Sequence, residues 1–331
     1  MKKLFLMLVC VAMSVLAMGQ DNQLVWANGR LLYGTPVVEM DSLTYDEMED
    51  VDTLHLLLPR TLVKVVHDTV YIHDTVYVET DCGGDADDED DASASIGVFS
   101  VGEGKTVSFS PGNLQYHPVN DEWRFAPSQL DYIGEANAYI SPTYNGWIDL
   151  FGWGTGDNPT NSSTDNNDYQ IFVDWGKNQI GNEIPNTWRT MTSDEWNYLR
   201  FARANADALC GIACVNGVTG LIFMPDDWTA PENLRFKPGF SLKYSVDAYA
   251  QYQTITLDKW EELEQYGAIF LPAAGFCDGT GVTYTQYYGN YWSSTELDDN
   301  NAYYILFHSG EARMGNYGHY IRRSVRLVKD L

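Results

Sequence analysis

Two apolar, strand-like runs stand among polar and aromatic segments in a forty-residue stretch near the end of the chain, Gly289–Val328. These runs, Ala302–Phe307 and Ser324–Val328, are predicted to be strands, whose successive side chains point to opposite faces. On the first strand, Ile305 and Phe307 are predicted to face the core. Its other face then carries Tyr304, Leu306 and His308. Further predicted core residues are Trp292, Val325 and Leu327.

Helical periodicity appears after residue 191. Thr192 and Glu195 stand three residues apart, which is the spacing of a capping box at the start of a helix. The apolar face of this helix is predicted to contain Trp196, Leu199, Ala202, Ala206 and Leu209. A second helix is predicted over Leu257–Tyr266, with Gly267 as its stop. Its inward residues are Trp260 and Leu263. Buried strands are predicted at Gly220–Met224 and Ala268–Ala274.

The N-terminus has the pattern of an export signal. Lys2 and Lys3 precede an apolar run, Leu4–Leu16, that is too short to span a bilayer. Ala17 and Gly19 then supply the small residues of a cleavage site, so residues 1–19 are predicted to be a signal peptide. The alternative is a lipoprotein acylated at Cys10, but only about six apolar residues would precede that cysteine, fewer than an export signal needs. The mature chain is therefore predicted to be exported, extracellular or on the outer cell surface, and to have no transmembrane helix.

Residues 20–95 are predicted to form three successive segments. A short β-hairpin module covers residues 20–50, with Asn28-Gly29 as its turn between Leu24–Trp26 and Leu31–Tyr33, and a further strand at Pro36–Met40. Residues 51–80 contain a six-residue repeat rich in Val, Ile and Thr, which favours an extended β-stalk. Residues 81–95 carry seven acidic and no large apolar residues, which is typical of a disordered linker. A domain boundary is thus predicted at about residue 96.

Two sequence patterns between residues 41 and 76 resemble a metal site and glycosylation sites. His67 and His73 in the repeat resemble metal ligands, but six residues of strand separate them by about 20 Å, too far for one ion. Asp-(Ser/Thr)-aliphatic triplets, which resemble O-glycosylation acceptors of Bacteroides-type bacteria, begin at Asp41, Asp52, Asp68 and Asp74.

The negative charge of the chain bears on two classes of partner, nucleic acids and anionic membranes. Its net charge is −26, from 46 acidic and 20 basic residues. The chain is predicted not to bind nucleic acid or an anionic membrane surface, because phosphate neutralisation needs Lys and Arg. The segment from Asp21 to Ser95 holds 18 acidic and 3 basic residues, a balance of −15, so it is predicted to be the more extended part.

Four cysteines remain after the predicted cleavage: Cys82, Cys210, Cys214 and Cys277. Export makes disulfides possible, and Cys210–Cys277 or Cys214–Cys277 are candidate bridges. No histidine stands near Cys210 and Cys214 in sequence, so a zinc site is disfavoured. The favoured interpretation is that these are small buried thiols.

Candidate metal and catalytic groups are sparse. Asp157, Asp165 and Asp168 in a polar loop are a weak candidate for a structural calcium site, although the EF-hand spacing is absent. No other cofactor is predicted. No nucleophile elbow or phosphate-binding glycine loop is found, and adjacent carboxylates such as Asp226 and Asp227 are typical of solvated turns. The protein is accordingly predicted not to be an enzyme.

Tyrosine, asparagine and charged residues of the C-terminal stretch form the predicted binding surface. Tyrosine supplies rigid contact area and asparagine supplies adaptable hydrogen bonding, as in antibody paratopes. The predicted ligand-binding residues are Asn290, Asp298, Asp299, Asn300, Tyr304, His308, Arg313, Asn316, Tyr317, His319 and Tyr320. The alternative interpretation is that these residues only build loops.

Two motifs resemble known families. The run Trp188–Trp196 is similar to the Arg-Leu-Pro-Thr-x-x-Glu-Trp signature of the formylglycine-generating-enzyme type of C-type lectin-like fold, with departures at Thr190 and Met191. Tyr291–Thr295 together with Ser324–Val328 resembles FISUMP-type (major paralogous) domains of secreted Bacteroides-type proteins. The resemblance covers roughly residues 97–329. It implies an α+β, C-type lectin-like domain over residues 96–331, with two helices, small twisted antiparallel sheets and long loops.

The resemblance also bears on function. Copper-dependent oxidases of that fold use a cysteine pair near their C-terminal end, and no cysteine follows Cys277 here. The calcium-dependent sugar motifs of animal C-type lectins are missing as well. The resulting hypothesis is an exported, lectin-like binding or display protein that recognises a protein or glycan ligand. The alternatives are a structural or assembly subunit of a cell-surface complex, and a target protein of a diversity-generating retroelement.

Overall fold

The computed structural model describes residues 97–331 in full and, before them, the backbone of residues 22–27 and 30–36. The chain divides into two compact units, Met1–Glu89 and Asp90–Leu331. The predictions that lie outside the described residues are the signal peptide 1–19 and Cys10, the turn Asn28-Gly29, the strand residues 37–40, the stalk 51–80 with its histidines, all four glycosylation triplets, and the linker 81–95 with Cys82.

The strands of the described part are β1 (Asn22–Ala27), β2 (Arg30–Pro36), β3 (Phe99–Gly102), β4 (Lys105–Phe109), β5 (Leu114–His117), β6 (Glu122–Phe125), β7 (Arg189–Thr190), β8 (Cys210–Val215), β9 (Val218–Phe223), β10 (Thr254–Ile255), β11 (Ile269–Pro272), β12 (Phe276–Asp278), β13 (Gly281–Thr283), β14 (Gly289–Asp298), β15 (Asn301–His308), β16 (Glu311–Gly318) and β17 (Leu327–Asp330). Its α-helices are α1 (Ser193–Asn197), α2 (Asp247–Tyr252) and α3 (Leu257–Gln265). In the first unit, β1 and β2 pair antiparallel with Ala27 opposite Arg30, which confirms the predicted hairpin.

One sheet joins the beginning of the second unit to its last strand. Its strand order is β3-β4-β17-β7, and β17 runs antiparallel to both of its neighbours. Phe99, Val107 and Val328 of this sheet pack in one core cluster with Trp196 of α1. The predicted strand Ser324–Val328 begins later than expected, at Leu327. Residues 322–324 instead make single bridges to three different segments, so they form no continuous ladder.

The second sheet lies beside α3. Its order is β10-β8-β9-β11, and β9 and β11 are the strands predicted at Gly220–Met224 and Ala268–Ala274, with shorter bounds at the second. Trp260 and Leu263 of α3 are buried as predicted and pack in a cluster with Phe270 of β11. Gly267 has φ +83, a left-handed conformation that ends a helix readily when no Cβ is present.

Helix α1 begins as predicted and ends early. Thr192 Oγ1 accepts a hydrogen bond from Glu195 N (3.2 Å), and the Glu195 side chain accepts one from Thr192 N (2.8 Å), so the capping box is confirmed. The predicted face fails at Ala202, which is exposed, after a wider π-type turn over Tyr198–Ala202. The next residue, Arg203, is buried instead, and its guanidinium lies 2.9 Å from Asp226.

The third sheet is an antiparallel meander of β14, β15 and β16. Asp298 pairs with Asn301 at one turn, and His308 pairs with Glu311 at the other. Ile305, Phe307, Trp292, Val325 and Leu327 are buried, as predicted.

A buried carboxylate fixes the long loop that precedes β7. Asp149 is fully buried, and its oxygens accept hydrogen bonds from Asn137 Nδ2 (2.7 Å) and Ile133 N (2.8 Å). Asn137 Oδ1 accepts in return from the backbone N–H groups of Asp149 and Leu150. Burial is the main reason that the pKa of Asp149 rises to about 6, and these hydrogen bonds oppose the rise.

The described architecture is mixed helix and sheet, with small antiparallel sheets and few, short helices, as expected for α+β. Two helices were predicted; α2 is the additional one. Sequence patterns did not predict α2, because no capping side chain accepts a hydrogen bond at its start and the helix has only six residues.

Candidate functional site

The predicted binding residues fall at two ends of the β14–β16 sheet and in the segment that follows it. The turn between β14 and β15 exposes Asp298, Asp299 and Asn300. The neighbouring end of β16 exposes Asn316 and Tyr317, and Tyr304 and Tyr320 beside them are half-buried. We call these seven residues the turn-end surface. Arg313 is exposed toward the opposite end of β16, and His308 is the last residue of β15, about 23 Å from the first at the usual strand rise.

Three of the eleven predicted residues are buried, so their placement on an exposed surface was wrong. Asn290 lies within β14, and its Nδ2 donates to the Gly275 carbonyl (3.3 Å). His308 packs against the rings of Tyr244 and Tyr288, and its Nδ1 accepts a hydrogen bond from Gly310 N (3.0 Å). His319 stacks on Trp153 with ring centroids 4.3 Å apart. Each is covered by a segment distant in sequence, which alternation within one strand does not show.

Leu306 is also buried, although it was predicted to share an outer face with Tyr304 and His308. The far half of β15 is therefore covered on both sides. Only the half nearest Asn301 presents side chains, such as Tyr304, that remain half-exposed.

The turn-end surface has a fixed backbone. Asp298 Oδ1 accepts hydrogen bonds from Asn300 N and Asn301 Nδ2, both at 2.9 Å, and these bonds lower the pKa of that carboxyl. The Gln170 side chain donates to the Asp299 carbonyl (2.9 Å), and Asn166 Oδ1 accepts from Tyr320 N (3.4 Å). A second loop therefore holds both edges of this surface in place.

A buried arginine lies directly beneath the turn-end surface. Arg323 is 3% exposed, and its guanidinium carbon lies 3.9 Å from the Tyr304 ring centroid, 4.4 Å from Trp292 and 5.9 Å from Tyr317. Its Nε and Nη1 have no hydrogen-bond partner in the described residues. Burial lowers the pKa of Arg323 to about 10, while the tyrosines beside it act in the opposite direction.

The two neighbouring buried arginines each donate to a distant segment, although Nε and Nη1 of Arg326, like those of Arg323, have no hydrogen-bond partner in the described residues. Arg322 donates to the Asn137 carbonyl and to Cys277 Sγ, each at 2.9 Å, and also to the Gly279 carbonyl. Arg326 Nη2 donates to Gln129 Oε1 (2.6 Å). Both therefore brace distant loops.

A second aromatic surface was missed by the sequence analysis. Tyr284, Tyr287 and Tyr288 form a tyrosine loop in which the rings of Tyr284 and Tyr288 stand 5.1 Å apart and those of Tyr287 and Tyr288 4.6 Å. Tyr284 and Gln286 have φ of +59 and +65. The sequence signal for this surface is three tyrosines within five residues. An analysis based on helix and strand periodicity does not detect it.

The tyrosine loop is held by the side chain of Gln286. Its Oε1 accepts from Thr219 N (2.8 Å), and its Nε2 donates to the Tyr132 hydroxyl (2.8 Å). A left-handed backbone costs an L-residue roughly 1 kcal/mol or more. These side-chain contacts hold Gln286 in that conformation.

The described cysteines are free thiols. Cys210 and Cys277 are buried, and Cys214 is partly so. The candidate bridges from Cys277 to Cys210 or Cys214 were therefore wrong, and the interpretation as small buried thiols is confirmed for Cys210 and Cys277. Cys210 belongs to a core cluster on β8, whereas Cys277 on β12 is engaged by Arg322, which explains why they do not pair.

The candidate calcium ligands are not gathered into one group. Asp165 caps a short 3-10 turn, where its Oδ1 accepts from Asn167 N (3.0 Å) and Asn167 Nδ2 (2.8 Å). Within residues 97–331, no set of three or more His, Cys, Asp or Glu side chains is placed to hold a metal ion. Calcium binding through Asp157, Asp165 and Asp168 stays a prediction.

A shallow groove of about 600 Å³ lies between the β3–β4 turn and α1. Its lining includes Lys105, Glu195 and Tyr198. The Glu195 carboxylate already accepts from both terminal nitrogens of Arg189 (2.8 and 2.9 Å) and from the helix cap. This carboxylate thus serves to join α1 to β7.

Comparison with known proteins gives no relative from which a role can be transferred. No protein-family model, no curated protein and no solved structure matches the chain. None of the helices in the described part of the chain combines the length and apolar character needed to cross a bilayer.

Proposed function

We propose that this chain is an exported, surface-exposed or secreted binding protein with a C-type lectin-like domain, and that its role is recognition of a glycan or protein ligand without catalysis. The small antiparallel sheets, the short helices and the long loops of residues 97–331 agree with that fold. The pattern of Lys2, Lys3 and the apolar run Leu4–Leu16 supports export.

The observation that carries the proposal is the turn-end surface. Tyr304, Asn316 and Tyr317 stand on antiparallel strands, and side-chain hydrogen bonds from Asp298 and Gln170 fix the backbone of the neighbouring turn. Tyr317 of this surface is 52% exposed. A surface that is ordered before its ligand arrives loses little conformational entropy on binding.

The test is a screen of the purified chain on a glycan and protein array, with calcium and with EDTA. We expect a ligand whose binding falls at least tenfold in Tyr317→Ala and Tyr320→Ala, because interface tyrosines commonly contribute over 1 kcal/mol each. The matched control is Tyr139→Ala, which removes a tyrosine that is 70% exposed on another loop. Loss of binding in EDTA would support the calcium prediction.

A folded protein that binds no array component would contradict recognition through this surface. Equal loss of binding in the Tyr139→Ala control would contradict its location. Concentration-dependent self-association in place of ligand binding would favour the assembly hypothesis instead.

A further inference from the structure

Arg323 is positioned as an anion receptor. A buried guanidinium without a counter-charge is costly, because desolvation of a charge is offset only by good ion pairs and hydrogen bonds. Nε and Nη1 of Arg323 are buried without hydrogen-bond partners in the described residues, and no carboxylate is among the groups that act on its charge. The three aromatic rings around it offset part of that cost.

Tyr317 is the most exposed of the three rings around this guanidinium. It lies on β16, the edge strand of its sheet, and is more than half exposed. Its ring centroid stands 5.9 Å from the Arg323 guanidinium carbon, farther than that of Tyr304. The side of Tyr317 is therefore where the guanidinium lies nearest to an exposed ring.

The surroundings define the kind of anion. Carboxylates at the β14–β15 turn and on β14, namely Glu296, Asp298 and Asp299, act on the nearby His319. Together with a net charge of −26, these carboxylates disfavour a polyanion, since every additional negative charge of the ligand would be repelled. A ligand with a single acid group and an otherwise uncharged body fits this distribution.

The rings beside the guanidinium favour a sugar as that body. Tyr304 and Tyr317 provide faces against which a sugar ring can pack, and Asn300 and Asn316 at the rim supply amide donors and acceptors for hydroxyl groups. The planar fork of an arginine matches a carboxylate with two parallel hydrogen bonds.

We propose that the turn-end surface binds a glycan residue bearing one carboxylate, such as a uronic or sialic acid, and that Arg323 receives the carboxylate. This inference rests on the proposed function and adds the class of ligand.

The experiment compares titration of the purified chain with glucuronic acid and with glucose, each as the terminal residue of the same oligosaccharide. We expect the acidic form to bind roughly tenfold to a hundredfold more tightly, the range expected of charge-assisted hydrogen bonds. In Arg323→Met this preference should disappear. Arg323→Lys keeps the charge without the fork, so most of the preference should be lost.

Two further measurements separate recognition from a structural role. The matched control is Arg235→Met, which removes an exposed arginine after β9 and should leave the preference unchanged. The melting temperature of ligand-free Arg323→Met should be unchanged or raised, because the variant removes a buried charge. A structural arginine would give the opposite result, with a lowered melting temperature.

The outcomes that overturn the inference are distinct from failure of the proposed function. Equal affinity for both oligosaccharides, or a preference that survives in Arg323→Met and Arg323→Lys, would refute the role of Arg323. If a neutral glycan or a protein then binds in a Tyr317-dependent manner, the proposed function stands and only the acidic class fails. Arg323-dependent binding of an acidic peptide in place of the sugar would refute the glycan class. Absence of binding to every probe would refute both proposals.

Discussion

Replacement of Asp149 by Asn tests the strongest electrostatic feature of the core. Asp149 is fully buried, has no cationic partner among its hydrogen bonds, and accepts from Asn137 Nδ2 and Ile133 N. Asn137 also receives, at its carbonyl, a hydrogen bond from the buried Arg322. The carboxyl group thus lies in a network that connects the 133–150 loop to the segment beneath the turn-end surface.

The pKa of Asp149 fixes the sign and size of the effect. Burial raises this pKa from 3.8 to about 6, so the folded protein holds the proton more tightly than the unfolded chain does. Stability contributed by this group is greatest below pH 4 and is lost as pH rises through about 6. A difference of roughly two pH units corresponds to about 3 kcal/mol of unfolding free energy.

The assay is urea unfolding of the native protein and of Asp149→Asn at intervals from pH 4 to pH 7. The free energy of unfolding of the native protein minus that of the variant should decrease by about 2 kcal/mol over this range, whatever constant offset the amide introduces, because the unfolded carboxyl is already partly ionised at pH 4. Asp227→Asn, at an exposed carboxylate, is the control and should show no comparable trend. A difference that stays constant or increases with pH would refute the assignment of a proton to Asp149.

Three further predictions concern local structure. Thr192→Ala removes the side-chain half of the capping box and should lower the free energy of unfolding by about 1 kcal/mol in urea, whereas an unchanged value would contradict the role of the cap. Gly289→Ala should destabilise by about 1–3 kcal/mol because its Cβ would lie 1.9 Å from an aromatic ring of the facing strand, while Gly281→Ala, with no atom nearer than 3.6 Å, should stay within about 0.5 kcal/mol in the same assay. Alkylation of the native protein, followed by peptide mapping, should modify Cys214 before Cys210, since burial raises the Cys210 pKa to about 12; the reverse order would contradict the described packing.

Local signals predicted the elements whose causes are local. The start of α1 was predictable because Thr192 and Glu195 satisfy each other's backbone groups. The end of α3 was predictable because Gly267 follows it in a left-handed conformation. Ala202 was misplaced because the helix widens to a π-type turn over Tyr198–Ala202, and the residue buried next is Arg203, which contacts Asp226 twenty-three residues away.

For the predicted binding surface, too, features with local causes were predictable and features set by distant contacts were not. Alternation correctly identified the inward face of β15 through Ile305 and Phe307. It could not show that Tyr244 covers His308 or that Trp153 covers His319, since these rings come from distant loops. The sequence analysis did not identify the buried Arg323, because arginine is usually a surface residue.

The central place of β17 sets a limit on when the second unit can fold. Residues 327–330 lie between β4 and β7, and without them these two strands have no common neighbour. On the ribosome, β3 and β4 therefore emerge more than two hundred residues before the strand that completes their sheet. The edge of β4 stays open throughout that interval, so this sheet must close after translation of the segment rather than during it.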